Sequence, residues 1–290
     1  MGSQKVTLTG AQETLLATLY GRALDARSAD PILGDRLADE IVGRIDYDFS
    51  KLNVTRNDAM SIAIRVKYLD RVVAQALADE PRVTVLHLAC GLDTREFRLD
   101  PDARLEWYDV DFPEVVELRR TCVPDRGRYH LIGSSVTAEG WLEEVPADQS
   151  VLVVAEGLMQ YLEKEDFIRL VQRIVERFPH GHLVFDSWNS LAARFGGHVR
   201  AIKATGAKTG GWGIDDPHDL ERWVPGLSFV AAQGFMDLPE LARAPLAARV
   251  LVKVMRHFRW SRDAGLILHY RFWPSGWLDV PGSLPSRAGT

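Results

Sequence analysis

The chemistry that this sequence suggests centres on one glycine and one aspartate that lie about 20 residues apart. Gly91 follows a short apolar run, and Asp111 ends a second one. A buried strand, a glycine turn and a carboxylate at the tip of the next strand hold a nucleoside ribose in doubly wound sheets. The dinucleotide motif G-x-G-x-x-G is absent, because Ala89 and Thr94 occupy two of its positions. The loop alone therefore fits a nucleoside site and an ordinary strand-to-helix turn equally well.

The composition of the chain excludes several classes of function. With 290 residues, of which 46% are hydrophobic and 26% charged, the chain is long and apolar enough to form a packed core. The net charge of −5 offers no excess of cations to a nucleic acid, and no apolar run approaches the roughly 20 residues that span a bilayer. The polar N-terminus lacks the core of a signal peptide, and two cysteines are too few for a disulfide framework or a metal site. We therefore expect a cytoplasmic protein that binds neither nucleic acid, nor membrane, nor metal.

Periodic apolar residues predict three helices before the first strand, at 7–25, 31–45 and 55–78. Pro31 suits the first turn of the second helix. We interpret residues 1–80 as a helical cap, since a nucleotide-binding sheet does not need them. The pattern then changes to short apolar runs with helical stretches between some of them, which predicts a parallel sheet with helices on both faces. These runs lie at 83–89, 105–110, 129–132, 151–155 and 182–185.

Residues 81–290 are interpreted as one Rossmann-like domain with two helical lid insertions. Between 190 and 216 six glycines loosen the pattern, which favours a long loop or short helices over the site. The basic stretch 238–260 is predicted to form one helix, and 265–272 a final strand that runs antiparallel to its neighbours. Ligands of such sheets bind beyond the carboxyl ends of the strands, so the candidate site residues are sought there.

Five sequence blocks, in order, resemble motifs of the leucine carboxyl methyltransferase family. The block 87–99, HLACGLDTREFRL, resembles the family's glycine loop, which is usually written LGxGLDTRxFRL. The blocks 107–116 and 153–162 resemble the motifs of the second and fourth strands. Two earlier blocks, at 21–35 and 64–66, resemble the N-terminal helical motif and the arginine motif. The resemblance is to the bacterial branch, which includes carboxyl O-methyltransferases of aromatic polyketide biosynthesis of the tetracenomycin type.

The resemblance implies a class I methyltransferase fold with a seven-stranded sheet, and S-adenosylmethionine as the cofactor. By its position in the motifs, Arg65 would pair with the methionine carboxylate, which suits a bidentate guanidinium. The backbone from Ala89 to Gly91 would pass beneath the methionine and accept a hydrogen bond from its ammonium group. Asp111 would accept hydrogen bonds from both ribose hydroxyls. The alternatives are a surface or helix-pairing role for Arg65, and a strand-end cap or an ion pair with an arginine of the next helix for Asp111.

The same resemblance assigns the adenine and the acceptor. Ser135 and Val136 stand where the family usually has an Asp-Leu pair that holds the adenine. Glu156 would lie near the sulfonium end of the cofactor, and Tyr161 would line the acceptor pocket. We name Glu156 and Tyr161 as the candidate catalytic residues. The alternatives are a buried structural carboxylate and a core tyrosine.

Two departures from the family pattern bear on cofactor binding. Ala89 replaces the first glycine of the loop, and its methyl group would intrude only slightly if its φ stays negative. Ser135 replaces an aspartate, and we expect the lost charge to weaken cofactor binding by about 1–3 kcal/mol. If the cofactor were lost altogether, the chain would be a non-methylating ligand-binding protein or an enzyme of another reaction type on the same scaffold.

The predicted reaction is methyl transfer to an oxygen of a small polyketide-like acceptor. A carboxylate is ionised at neutral pH, whereas a phenol, with a pKa of about 10, gains from a general base. Only His198 and His218 qualify as candidate bases, and neither is an obvious one. The sequence therefore favours an aromatic carboxylic acid over a phenol as the acceptor. A protein carboxyl methyltransferase is a third hypothesis. The sequence is compatible with a homodimer but does not determine the oligomeric state.

Overall fold

Buried, β-branched runs of the chain form the strands of one central sheet. The computed structural model describes residues 4–5, 8, 10–80, 82–100 and 105–273. The strands are β1 (Gln4–Lys5), β2 (Ile45–Asp46), β3 (Val83–Leu88), β4 (Glu106–Asp111), β5 (Tyr129–Gly133), β6 (Ser150–Ala155), β7 (Gly181–Trp188), β8 (Leu227–Gly234) and β9 (Gly265–Phe272). β1 and β2 pair with each other, and the other seven form a sheet in the order β5-β4-β3-β6-β7-β9-β8.

The pairing in this sheet puts the ends of its central strands on one edge. β3 pairs in parallel with β4 and with β6, while β5 and β7 extend the parallel part on either side. β9 runs antiparallel between β7 and β8. The predicted class I methyltransferase architecture is thereby confirmed, including its antiparallel final strand.

Helices cover both faces of the sheet. They are α1 (Ala11–Ala26), α2 (Arg36–Arg44), α3 (Arg56–Asp79), α4 (Arg95–Leu99), α5 (Pro113–Cys122), α6 (Lys164–Arg177), α7 (Ser190–Arg194), α8 (Arg200–Thr205), α9 (Asp219–Trp223), α10 (Leu246–Met255) and α11 (Arg259–Arg262). α3 begins where the sequence predicted, because Thr55 and Asp58 form a capping box. The predicted start of α2 at Pro31 is wrong: Asp35 caps this helix by accepting from the Ala38 N–H.

The N-terminal helices share their core with the rest of the chain. Ile64 and Val73 of α3 pack in one cluster with Val85 and Val154 of the sheet. α1 and α2 pack in a second cluster with Leu92, which follows the glycine loop, and with α5. α1 and α3 therefore stand directly beside the carboxyl ends of β3 and β6. The division into a cap at 1–80 and a domain at 81–290 stays a prediction.

The two segments predicted to cover the site differ in structure. Short helices lie between 190 and 205 and a loop continues to 216, so this segment combines the two forms that the glycine pattern favoured. The single helix predicted over 238–260 is wrong, because a 3₁₀ turn at Pro239–Arg243 ends before Pro245 and α10 begins after it. A proline inside a helix removes a hydrogen bond and clashes with the preceding turn. Within the described chain, no helix is both long and apolar enough to cross a bilayer.

Candidate active site

One cavity brings together the eight residues that the sequence predicted to bind the cofactor or to act in catalysis, but neither candidate histidine base. It has a volume of about 440 Å³ and lies at the carboxyl ends of β3, β4 and β6, with α1, α3 and α8 as its outer walls. Its size is that of a small-molecule site. The predicted residues that line it are Arg65, Ala89, Gly91, Asp111, Ser135, Val136, Glu156 and Tyr161.

Asp111 is held at the tip of β4 by backbone hydrogen bonds. Its Oδ2 accepts from the Gly91 N–H at 2.7 Å, and its Oδ1 accepts from the Phe112 N–H at 2.7 Å. Burial raises the pKa of this carboxyl above its usual value. The predicted alternative, an ion pair with a helix arginine, is not formed with Arg119, which pairs with Asp109 instead. Each oxygen of Asp111 keeps a second lone pair that can accept from a ligand hydroxyl.

The glycine loop has two residues in the left-handed region. Gly91 has φ of +52° and Ala89 has φ of +49°. The condition of a negative φ at Ala89 is therefore not met: the turn keeps the conformation that a glycine would allow, at a strain cost of about 1–2 kcal/mol for a residue with a Cβ. The loop is supported from below by Arg119, whose Nη1 donates to the carbonyls of Gly91 at 3.1 Å and Asp93 at 2.6 Å.

Arg65 and Glu156 meet across the deep end of the cavity. Nε and Nη2 of Arg65 donate to Glu156 Oε1 at 3.1 and 2.9 Å, and Nη1 donates to Asp186 Oδ2 at 3.3 Å. Burial alone would raise the pKa of the Glu156 carboxyl, but the guanidinium groups of Arg65 and Arg95 lower it below its usual value. Glu156 is thus a carboxylate at neutral pH.

Sequence reasoning missed the residues that hold Glu156 in place. Arg95 lies inside the glycine-loop motif, yet its side chain is fully buried and donates to Glu156 Oε2 at 2.6 Å. It also pairs with Asp70 at 2.8 Å and with Asp93 at 3.1 Å. The acidic and basic letters of the motif were a signal for this network, but their partners lie far away in sequence.

Gln160 is a second residue that the sequence did not single out. It is buried and lines the cavity, and its Nε2 donates to Asp186 at 3.2 Å. Its Oε1 is one of the buried side-chain atoms, among the described residues, that have no hydrogen-bond partner. A buried carbonyl oxygen without a partner is costly, so it calls for a donor from a ligand. An ammonium group beside a guanidinium-bound carboxylate, as in an amino acid, fits this arrangement.

The other end of the cavity is less polar. Val136 is buried there, and the Ser135 hydroxyl lies 2.9 Å from the Thr137 hydroxyl. Tyr161 lines the cavity near Arg65 and next to Thr14 of α1, and burial raises the pKa of its phenol. The phenol is therefore protonated at neutral pH and can donate a hydrogen bond.

Aromatic side chains that could stack on an aromatic acceptor differ in their position relative to the cavity. Trp188 lines the cavity, whereas Tyr20 stacks on Phe49 with ring centroids 5.1 Å apart in the α1–α2 core. Trp212 packs against Phe167 and Trp223. Phe195 is 60% exposed and does not line the cavity.

Neither candidate histidine base lines the cavity. His218 is bonded to Glu221 at 2.5 Å on the surface, and the His198 ring lies near Phe195. The imidazole that does line it, among the described residues, is that of His87. Both nitrogens of His87 are engaged, by Asp109 at 3.0 Å and Arg95 at 3.2 Å.

The comparison with known proteins decides the family of this chain. The family model for leucine carboxyl methyltransferase matches residues 15–175, which is more than half of the chain and spans α1 to α6. The chain belongs to the leucine carboxyl methyltransferase family. The resemblance drawn from the five sequence blocks is confirmed.

Full-length relatives support the assignment to this family. The tetracenomycin polyketide synthesis O-methyltransferase TcmP of Streptomyces glaucescens is 44% identical over 93% of this chain and 99% of its own length. The S-adenosyl-L-methionine-dependent methyltransferase dpfgK of Gibberella zeae is 38% identical over 78% of this chain and 82% of its own. The predicted cofactor, S-adenosylmethionine, is confirmed by these family members. The chain is a methyltransferase.

Solved structures of low sequence identity share the fold. A duf574 family protein from Streptomyces avermitilis has a TM-score of 0.54 and 17% identity, over 86% of this chain and 99% of its own. At this identity the likeness concerns the fold alone.

Proposed function

We propose that this methyltransferase transfers the methyl group of S-adenosylmethionine to a carboxylate oxygen of a small aromatic acceptor of polyketide type. The observation that carries the proposal is that Arg65 of α3 meets Glu156 and Asp111, which stand at strand ends, in one cavity with apolar walls. The name of the relative TcmP supports an acceptor of this class. The proposal covers the role of each site residue and the chemical class of the acceptor.

The residues at the deep end suit the amino-acid part of the cofactor. Arg65 can bind its carboxylate, while Glu156 and the unpartnered Oε1 of Gln160 can accept from its ammonium group. At the tip of β4, Asp111 can accept from the ribose hydroxyls through the lone pairs that its two backbone bonds leave unused. Glu156 then acts by holding a charge, since its lowered pKa makes it a poor proton donor.

The adenine would lie beside Ser135 and Val136, after β5. Val136 is buried and offers an apolar surface, while Ser135 offers one hydroxyl that already contacts Thr137. Hydrogen bonds at this end of the site therefore contribute less binding energy than they would with the aspartate that the family usually has at position 135.

The chemistry of methyl transfer places few demands on the protein. When bound, S-adenosylmethionine supplies a methyl group on a positively charged sulfur, which an oxygen nucleophile displaces in line. The protein must orient the acceptor and exclude water, and the apolar walls of α1, α3 and α8 suit both tasks. Tyr161, which stays protonated, can donate a hydrogen bond to the acceptor.

The described lining residues offer no imidazole with a free nitrogen, which favours a carboxylate acceptor. Among the described residues that line the cavity, His87 is the sole imidazole, and Asp109 and Arg95 occupy both of its nitrogens. A carboxylic acid is already ionised at neutral pH, so it needs no proton acceptor. A phenol would lack the assistance that usually contributes about 10²–10⁴-fold.

Two measurements test the proposal. Calorimetry with S-adenosylhomocysteine is expected to show binding by the wild type and a roughly tenfold loss for Asp111→Asn, which keeps an acceptor for one backbone N–H but loses the charge. Asp166→Asn on the surface of α6 is the control. Transfer of a labelled methyl group to 2-naphthoate, without transfer to 2-naphthol, supports carboxylate chemistry.

Either of two results would reject the proposal. Absence of cofactor binding at millimolar concentration contradicts a methyltransferase site and favours a non-methylating protein on the same scaffold. Preferential methylation of the naphthol contradicts the carboxylate acceptor while leaving the cofactor site intact.

A further inference from the structure

The cavity has two poles that are joined by one face of α3. Asp58, Ser61, Ile62 and Arg65 line it along this face. Asp58 and Arg65 are seven residues apart, which corresponds to about 10 Å along a helix axis at about 1.5 Å per residue. Because Arg65 marks the cofactor pole in the proposed function, Asp58 marks the opposite, outer pole.

Between the poles the walls are mostly apolar. Apolar lining residues of the cavity include Leu15 of α1, Leu52 and Val54 of the chain before α3, Ile62 of α3, and Ile202 of α8. Such walls suit a flat hydrocarbon ring system. An acceptor that fills the chamber therefore presents one end to the cofactor and the other end to Asp58 and its neighbours.

The outer pole contains a cation that differs from the others in the cavity. Three guanidinium groups occur among the described lining residues, those of Arg22, Arg65 and Arg200. The first is 3% exposed and lies 2.6 Å from Asp35, and the second is paired with Glu156. The side chain of Arg200 is instead 63% exposed, and its Nη1 lies 3.3 Å from Asp58 Oδ2. An exposed pair of this kind contributes about 0–1 kcal/mol, so it is easily exchanged.

The position of the Asp58 side chain does not depend on its ion pair with Arg200. Its Oδ2 accepts from the N–H of Thr55 at 2.9 Å and from the Thr55 hydroxyl at 2.6 Å, as part of the capping box of α3. Arg200 can therefore leave Asp58 without stranding a buried charge or opening the helix.

We propose that Arg200 determines acceptor specificity by binding a second, non-reacting carboxylate at the outer end of the acceptor, in exchange for Asp58. This inference rests on the proposed function and names its substrate class: an aromatic dianion whose reacting oxygen and second carboxylate stand at the two ends of an apolar ring system. A guanidinium matches a carboxylate in geometry and charge, so Arg200 can bind a carboxylate of the acceptor in place of Asp58.

Two probes that differ by one carboxylate test the assignment. Calorimetry on the protein saturated with S-adenosylhomocysteine is done with naphthalene-2,6-dicarboxylate and with 2-naphthoate. The wild type is expected to bind the dianion about fivefold more tightly, as one part-exposed ion pair allows. Arg200→Ala abolishes this ratio and leaves 2-naphthoate binding unchanged, while Arg200→Lys keeps part of the ratio.

A matched control comes from the same helix. Lys203 of α8 is exposed and does not line the cavity, so Lys203→Ala is expected to keep the wild-type ratio. A ratio of one in the wild type, a ratio that survives Arg200→Ala, or an equal loss for both probes overturns the role of Arg200. A wild type that binds no S-adenosylhomocysteine overturns the proposed function, and the role of Arg200 with it.

Discussion

The guanidinium of Arg95 donates from Nη2 to Oε2 of Glu156 at 2.6 Å, with none of its side chain exposed. Its Nε binds Asp70 at 2.8 Å, and its Nη1 lies 3.1 Å from Asp93. One arginine of the glycine-loop motif thus connects α3, the loop after β3 and the tip of β6. Since Glu156 also binds Arg65, the orientation of the deep end of the cavity depends on Arg95.

Removal of Arg95 is expected to be strongly destabilising. In Arg95→Leu, the carboxylates of Asp70, Asp93 and Glu156 lose a buried partner, and breaking such a pair costs about 3–5 kcal/mol of unfolding free energy. Arg95→Lys keeps the charge but not the planar fork, and we expect a smaller loss together with weaker cofactor binding. Urea denaturation and calorimetry measure the two effects.

The exposed pair of Arg169 and Asp166 provides the control for this experiment. Arg169→Leu is expected to change the unfolding free energy by no more than about 0.5 kcal/mol. If Arg95→Leu proved equally mild, the buried network would have no part in holding the site.

The sequence sufficed for the strands and for the residues at their tips. Parallel strands end on the same edge, so the order of the strands placed Asp111 and Glu156 at one cavity, while Arg65 was implied by the resemblance to the family. It could not supply the network around Arg95, since its partners Asp70 and Glu156 are 25 and 61 residues away in the chain. Ion pairs between distant residues depend on packing that no local pattern encodes.

Backbone conformation was the other part that sequence reasoning could not reach. A family pattern with glycine at the position of Ala89 indicates that the turn favours the left-handed region, but not that the turn persists after the glycine is replaced. The φ of +49° shows that the surrounding fold, with Arg119 beneath the loop, imposes the turn on alanine. The break at Pro245, by contrast, was readable from its residue type.

Restoring glycine at position 89 is expected to stabilise the protein. Ala89→Gly releases about 1–2 kcal/mol of left-handed strain, and the greater freedom of glycine in the unfolded chain takes back about 0.4–1 kcal/mol. The expected net gain is about 0–1.6 kcal/mol in unfolding free energy, measured by urea denaturation.

The same substitution in a helix should change the unfolding free energy in the opposite direction. Ala74 is exposed within α3, where glycine costs about 1 kcal/mol, so Ala74→Gly serves as the matched control. A loss of stability in Ala89→Gly that equals the loss in the control would contradict the strained turn.

Restoring the family's aspartate at position 135 is expected to strengthen cofactor binding. Ser135 lines the cavity, and an aspartate there would provide a charged acceptor for the adenine amino group, worth about 1.5–3 kcal/mol before its own desolvation. We expect Ser135→Asp to bind S-adenosylhomocysteine about tenfold more tightly. Thr137→Asp adds the same charge two residues later, outside the cavity lining, and should leave the affinity unchanged. Equal effects of the two substitutions would indicate a general charge effect and count against the predicted adenine position.

The buried carboxyl of Glu96 is expected to make the stability of the protein depend on pH. The residue is 3% exposed in α4, its Oε2 has no hydrogen-bond partner in the described chain, and Arg126 lies 3.5 Å from its Oε1. Burial, together with the charge of Asp109, raises the pKa of Glu96 from 4.5 to about 7. Between these values the native state holds a proton that the unfolded state has released, so this group lowers stability as the pH rises from 4.5 to 7.

Glu96→Gln removes this titration while it keeps the shape of the side chain. At pH 8 the variant is expected to be more stable than the wild type by about 1–3 kcal/mol, and near pH 4.5 the two should be alike. Urea denaturation at both pH values measures the difference, with Glu143→Gln on an exposed turn as the control. A stability difference that is the same at both pH values would show that the carboxyl of Glu96 does not titrate in this window, and that its burial costs the fold no free energy through its charge.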